Sequence, residues 1–289
     1  MNTDSLFQLA HVKQHFGRAA EGYEASAALQ KEVETRLLEL ADYLPAEPQR
    51  VLDLGCGPGR GAGLLKKRWP KAELIAMDLA LPMLRQVPKH TRFWRPVQRV
   101  CGNAMQLPFK DNSFDLVFSS LCLQWAHPLP EALAEIRRVL RPDGMLAFST
   151  FGPDTLIELR EAYLAIGEPP ALSPFAAIQQ VGDGLQGSGF YKNVLDRETY
   201  RMSYPDLRAL MKELHAIGAT DARSARKRGL MGKSRWQRLQ AAYPKQDVNI
   251  SSSWEVISAM AFKRPQNPYA ANDGEVALIS PDQIQRRRR

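Results

Sequence analysis

The chain is poor in cysteine, with three among 289 residues. Cys56, Cys101 and Cys122 are odd in number and show no Cys-x-x-Cys spacing, which excludes a disulfide framework and fits a reduced, cytoplasmic protein. No apolar run approaches the ~20 residues that a membrane span needs. The start, MNTDSLFQLAHVKQHF, lacks a basic segment followed by an apolar one, which argues against a secretory signal. Metal-ligand patterns are absent too: His11 and His15 stand four apart, but no Glu or third ligand accompanies them, so no metal is expected. Excess charge is mild. Lys and Arg number 39 against 31 Asp and Glu, and four of the resulting +8 are the terminal run Arg286 to Arg289. That is too little to imply a nucleic-acid partner. What remains is ordinary globular material, 44% hydrophobic and 24% charged, long enough to bury a sizeable core without staples.

The hydrophobic pattern sets an alternating rhythm. Residues 1–24 are helical in pattern but interrupted by Gly17 and Gly22, and read as a lid. A helix is expected over 25–44, ending before Pro45 and Pro48. RVLDL (50–54) reads as a buried strand, followed by a helix near 60–68 and a second strand, ELIAMD, ending at Asp78. Further expectations are a helix at 81–87, strands at 99–102, 114–119 and 144–150, and a helix at 129–140. Strands separated by helices predict an α/β fold, a Rossmann-like, mostly parallel, doubly wound sheet. After Phe151 come helices at 154–166, 174–187 and 205–217, with strands at 193–204 and 253–262. The expected division is a lid (1–48), a core (49–152), cap helices with the last strands (153–263) and a disordered basic tail (264–289).

The sharpest feature is VLDLGCGPG (51–59), where Gly55, Gly57 and Gly59 let the backbone turn tightly and a ligand approach closely. A strand–turn–helix junction of this kind is the usual seat of a nucleotide-like cofactor. A dinucleotide site would want a small residue where Arg60 stands. Asp53, two residues before the loop, would repel a pyrophosphate and attract an ammonium or sulfonium, so S-adenosylmethionine is the ligand that fits. Asp78 stands where an acid can accept both ribose hydroxyls; the alternative is a solvated strand-end carboxylate. Asn103 and Ala104, after the third strand, are candidates for the adenine edge, the alternative for Asn103 being an ordinary turn. Leu79 and Ser120 complete the expected cofactor set.

On LDLGCGPG, Asp78 and LPFKDNSFDLVFSS the sequence resembles the class I S-adenosylmethionine-dependent methyltransferases. HFGRAAEGYEASAALQ (15–30), SSLCLQW (119–125), RVLRPDGMLAFSTFGPDTLIELR (138–160) and KELHAIGATDARSARKRGLMGKSRWQRLQAAYP (212–244) narrow the resemblance to the BioC family, the malonyl-acyl-carrier-protein O-methyltransferases of biotin synthesis. It covers roughly residues 11–263. The resemblance implies methylation of a free malonyl carboxyl group, with an acyl carrier protein, or coenzyme A, carrying the malonyl thioester, and no nucleic-acid or membrane partner. Two departures stand out: Asn103 where the family commonly has an acid, and Ser119-Ser120 where it has Ser-Asn.

A malonyl carboxylate is ionised at neutral pH, its pKa lying near about 4, so its methylation requires no general base and none is expected. Proximity and exclusion of water must do the catalysis. Arg18 is the candidate cation for the substrate carboxylate, or else a surface arginine. Tyr23 and Gln30 share a helix face if the lid helix is continuous, and otherwise pack the lid. Gln124 and Trp125 follow the fourth strand on the cofactor side, and Phe151 begins the expected cap over the acyl chain. Residues 222–238 hold seven basic residues and no acid, suiting an acidic carrier protein, though a solvated face reads the same way. Rival readings are a quinone C-methyltransferase, an arginine-hydroxylating assembly factor that shares FGxDTLxELR, and a non-catalytic binder of S-adenosylmethionine. A nucleic-acid amino methyltransferase is disfavoured, because Ser119-Ser120-Leu121-Cys122 replaces the Asn/Asp-Pro-Pro-aromatic segment it needs.

Overall fold

Short apolar runs build the centre of the molecule. The computed structural model describes residues 9–92, 94–170, 172–217, 232–246 and 249–265. β1 (Arg50–Leu54), β2 (Glu73–Asp78), β3 (Gln98–Cys101), β4 (Phe114–Ser119) and β5 (Leu140–Phe151) are parallel in the order β3-β2-β1-β4-β5. β6 (Phe190–Tyr204), β7 (Lys245–Gln246) and β8 (Asn249–Lys263) complete an eight-stranded sheet. β8 runs antiparallel between β5 and β6, and β7 pairs with β8.

The helices are α1 (Leu9–Ala19), α2 (Ala28–Leu40), α3 (Arg60–Arg68), α4 (Leu81–Leu84), α5 (Leu129–Val139), α6 (Ile157–Ala165), α7 (Ile178–Gly187), α8 (Leu207–Ala216) and α9 (Lys233–Ala242). Central strands covered on both faces need apolar residues at nearly every position, and alternate side chains go to opposite faces. Leu52 and Leu54 of β1 share a core cluster with Leu133 and Ile136 of α5. Val51 joins Leu37 of α2 and Leu65 of α3 on the other face. A third cluster, around Trp254, Tyr163, Leu210 and Leu239, joins β8 to α6, α8 and α9.

Several boundaries differ from expectation for local reasons. The helix expected over 25–44 is α2 flanked by 3-10 turns at Tyr23–Ser26 and Ala41–Tyr43. The strand expected from Gly144 begins at Leu140, directly after α5, with a register shift opposite Phe114 and Leu116. Asp143 takes a φ of 61° there, and a Cβ on Gly144 would stand 2.8 Å from the Arg141 carbonyl oxygen. A Pro-Asp-Gly bulge inside a strand is read from sequence as a turn before one. α9 occupies the described part of the basic segment, while residues 222–231 and the tail beyond 265 lie outside the described residues.

The FGPDTLIELR segment is tied to β8. Buried Glu255 of β8 accepts the Asp154 N–H at 2.7 Å, and the Thr155 hydroxyl donates to the Glu255 carbonyl at 3.0 Å. Glu158 accepts from Ser253 through both backbone N–H and hydroxyl. Gly152 is required by space, since a Cβ would meet the Glu255 carboxyl carbon at 2.4 Å.

Candidate active site

The glycine loop crosses the ends of β1, β2 and β4. The Gly55 and Cys56 N–H groups donate to the Met77 carbonyl at 2.8 and 3.0 Å, which pins the loop to β2. Gly55 has φ +73°, and a Cβ there would fall 2.2 Å from Cys122 Sγ. Gly57, at φ +52°, has open space where a Cβ would be, a cradle that a ligand can approach. Gly59 differs: it packs against Val87 and caps α3, and it lines neither cavity described below.

Asp78 is the hinge of the site. Its Oδ2 accepts the Gly57 N–H at 2.9 Å and its Oδ1 the Ala80 N–H at 2.7 Å. Burial holds its pKa above the ordinary carboxylate range, while the N–H groups of Ala80, Gly57 and Leu79 pull the other way.

Two adjoining cavities share Tyr23, Gly55, Gly57 and Ser120, forming one groove over the loop. The larger has about 740 Å³ of empty space, mouth included. Asp78, Leu79, Asn103, Ala104, Ser120, Tyr23 and Trp125 all line it, so the structure brings together most of the residues singled out from sequence. Asn103 Oδ1 also accepts the Met105 N–H at 3.1 Å, closing the turn after β3, so one acceptor position is already used. α1 roofs this cavity with Val12 and Phe16, and the Phe16 ring meets Trp125 edge-on at 5.8 Å. Gln30 lines the second cavity, with its Oε1 buried and lacking a hydrogen-bond partner.

Other expected residues lie elsewhere. Asp53 points away from Leu54, as strand alternation requires, and sits behind the loop rather than in either cavity. There its carboxyl lies beside Gly61 of α3 together with that of Glu34 of α2, which pairs with Arg60. Two carboxyl groups thus stand at the first turn of α3, where the helix dipole favours negative charge. Asp53 Oδ2 is left without a partner, and burial, then Glu34 and Asp78, raise its pKa well above normal. Arg18 is exposed and reaches neither cavity, because the inward stripe of α1 runs through Val12, Phe16 and Ala19. Gln124 folds back onto its own turn, donating to the Leu121 carbonyl at 2.6 Å. Phe151 is core: it packs on Phe175 and Trp254 at 5.5 and 5.3 Å.

The sequence reading missed Val12, Phe16, Met83, Leu121 and Cys122, which line the larger cavity, and Lys31, which lines the second. The apolar ones carried no signal beyond helix periodicity. Neither the phenol nor the Cys122 thiol of the groove is poised as a base. Burial, then nearby acids, raises the Tyr23 hydroxyl far above its ordinary value, and burial pushes the Cys122 thiol up to about 12. Among the described residues no group of three His, Cys, Asp or Glu could hold a metal, and no helix is long and apolar enough to cross a membrane.

Strand order β3-β2-β1-β4-β5-β8-β6, with a groove over the glycine loop at the strand ends, defines a class I methyltransferase fold. A family model described as a methyltransferase domain matches residues 52–148. Solved structures agree on the fold. YcgJ of Bacillus subtilis gives a TM-score of 0.56 at 17% identity, covering 80% of this chain and 98% of that one. A putative methyltransferase of Bacillus halodurans C-125 gives 0.57 at 17% identity, with the same coverage. Over the whole chain the likeness is closer. The malonyl-[acyl-carrier protein] O-methyltransferase of Xylella fastidiosa (strain M23) is 45% identical over 291 residues, covering 99% of each chain. That of Gallionella capsiferriformans (strain ES-2) is 40% identical over 260 residues, covering 87% of this chain and 90% of its own. The chain belongs to the malonyl-[acyl-carrier protein] O-methyltransferase family.

Proposed function

We propose that this protein transfers a methyl group from S-adenosylmethionine to the free carboxyl of a malonyl thioester carried by acyl carrier protein, in the cytoplasm, as a step toward biotin. The full-length kinship carries this reading, and the groove is chemically suited to it. Gly57 leaves the cradle open, and the orphaned oxygens of Gln30 and Asp53 put unsatisfied negative potential beside and behind the loop, which suits a cationic donor. Asp78 would take the ribose hydroxyls, and the turn at Asn103 and Ala104 the adenine, with Leu79 beside them. When bound, the donor supplies an electrophilic methyl group on a sulfonium.

The residues of the groove do the rest by holding and covering. The acceptor is already a carboxylate, so its oxygen would take the methyl group directly, the donor's sulfur leaving as a neutral thioether, with no proton to move. A groove whose phenol and thiol both stay protonated fits that requirement. Val12, Phe16 and Trp125 exclude water as opposite charges cancel in the transition state. The test is direct: purified protein, methyl-labelled S-adenosylmethionine, and malonyl thioesters of acyl carrier protein and of coenzyme A. Label in the malonyl methyl ester supports the reading, and the ratio of rates fixes the carrier. Donor binding without label transfer to either thioester overturns it.

A further inference from the structure

The groove is rich in acids and short of cations. Asp78, Glu24 and Glu34 line it, and Asp53 stands behind it. Among the described residues lining either cavity, the basic side chains are Lys31 and Arg60, both at the second cavity. Arg60 is committed: its guanidinium pairs with Glu34, donates to Thr35 Oγ1 at 2.9 Å and to the Lys31 carbonyl at 3.1 Å. Lys31 is not matched in this way. Its Nζ donates to the Glu24 backbone carbonyl at 2.7 Å and forms no ion pair with an acid among the described residues. Beside Lys31 lies Gln30, whose buried Oε1 lacks a partner.

This end of the groove therefore offers one uncompensated ammonium and one unsatisfied acceptor. Among the described side chains lining the groove, Lys31 is the cation not engaged with an acid, so a ligand carboxylate is drawn there. We propose that Lys31 receives a ligand carboxylate at the second cavity. The inference rests on the methyl-transfer reading, which brings two such groups to the groove: the carboxylate of the donor's amino-acid arm and that of the malonyl acceptor. An ammonium with hydrogens still to donate holds a carboxylate by charge-assisted hydrogen bonds, among the stronger polar contacts.

The experiment compares Lys31→Met and Lys31→Arg with wild type in the full chain. The probes are S-adenosylhomocysteine, which keeps the amino-acid arm, 5′-methylthioadenosine, which lacks it, and the malonyl thioester in steady-state turnover. A ~10-fold or greater loss is expected in one place, as for removal of a charge-assisted contact. If the arm is the ligand, Lys31→Met weakens S-adenosylhomocysteine and leaves 5′-methylthioadenosine unchanged. If the malonyl group is the ligand, both nucleosides bind as before and KM for the thioester rises with little change in kcat. Lys31→Arg restores most of the loss in either case. The proposal falls if Lys31→Met behaves as wild type with all three probes, or weakens both nucleosides equally. Wild-type protein that binds none of them would instead sink the methyl-transfer reading, and this inference with it.

Discussion

Single residues decide whether the groove exists. Asp78 bridges loop and strand by accepting from Gly57 and Ala80, so Asp78→Ala removes both the ribose acceptor and the brace under the loop. Calorimetry with S-adenosylhomocysteine should show at least a ~10-fold loss of affinity, the scale of one or two hydrogen bonds to a charged group, while far-UV circular dichroism stays unchanged. Undiminished affinity would remove Asp78 from the site. Gly55 tests packing. Gly55→Ala forces an L-residue to φ +73° and drives its Cβ into Cys122, and it should cost about 2 kcal/mol or more in thermal or urea denaturation. Cys122→Ala should not rescue it, because the Cys122 Cβ itself stands 2.4 Å from the new atom. Rescue by that second change would show that the sulfur alone sets the constraint. At this scale the sequence was legible wherever a residue type has one dominant use. Gly55, Gly57 and Asp78 stood out and line the groove, whereas Gly59, read the same way, packs on Val87 instead. Asp53 and Arg18 were misplaced because proximity along the chain does not say which face of a strand or helix a side chain takes.

Among elements, the loop between β3 and β4 shows how the cavity's far wall is held. Arg138 of α5 donates to the Leu107 and Phe109 carbonyls and to Asp111, while Glu135, one turn earlier, accepts the Leu107 N–H at 2.8 Å. Arg138 hydrogen-bonding lowers the Glu135 pKa, with burial opposing and the Leu107 N–H assisting. A depressed folded-state pKa means that the unfolded chain binds the proton more readily. The contribution is therefore present above the ordinary carboxylate value and is lost as pH falls through the depressed one. Glu135→Gln should lower stability by about 1 kcal/mol near neutral pH, and its gap from wild type should narrow as the pH falls below about 4.5. A gap independent of pH would mean that the residue acts by shape alone. Helix and strand identities here followed from periodicity. The exceptions arose where tertiary contacts override local pattern, as in the bulge at Arg141 to Gly144 and in α9, whose charges hid a helix anchored by Leu239.

At the scale of the whole molecule, α1 is attached to the sheet rather than part of it. Among the described side chains the three large hydrophobic clusters contain no α1 residue; Val12 and Ala19, with Ala20 just after the helix, are buried in small satellite clusters with Phe16, Leu79, Ala80 and Met83. The same α1 face supplies Val12 and Phe16 to the cavity roof, and the turn after it supplies Tyr23. Stability and ligand binding are therefore separable along the chain. Removing residues 1–20 should leave a cooperatively folded protein whose melting temperature falls by only a few degrees, roughly the effect of 1 kcal/mol in a domain of this size. The same truncation should weaken S-adenosylhomocysteine markedly, because the roof that excludes water is gone. A ligand that binds only the folded state raises the melting temperature in proportion to its affinity, so one pair of thermal scans, with and without S-adenosylhomocysteine, reads both quantities. A large stabilising shift in wild type and almost none in the truncated chain is the expected result. Equal shifts in the two would show that the roof contributes nothing to binding, and collapse of the truncated chain would show that α1 belongs to the core after all.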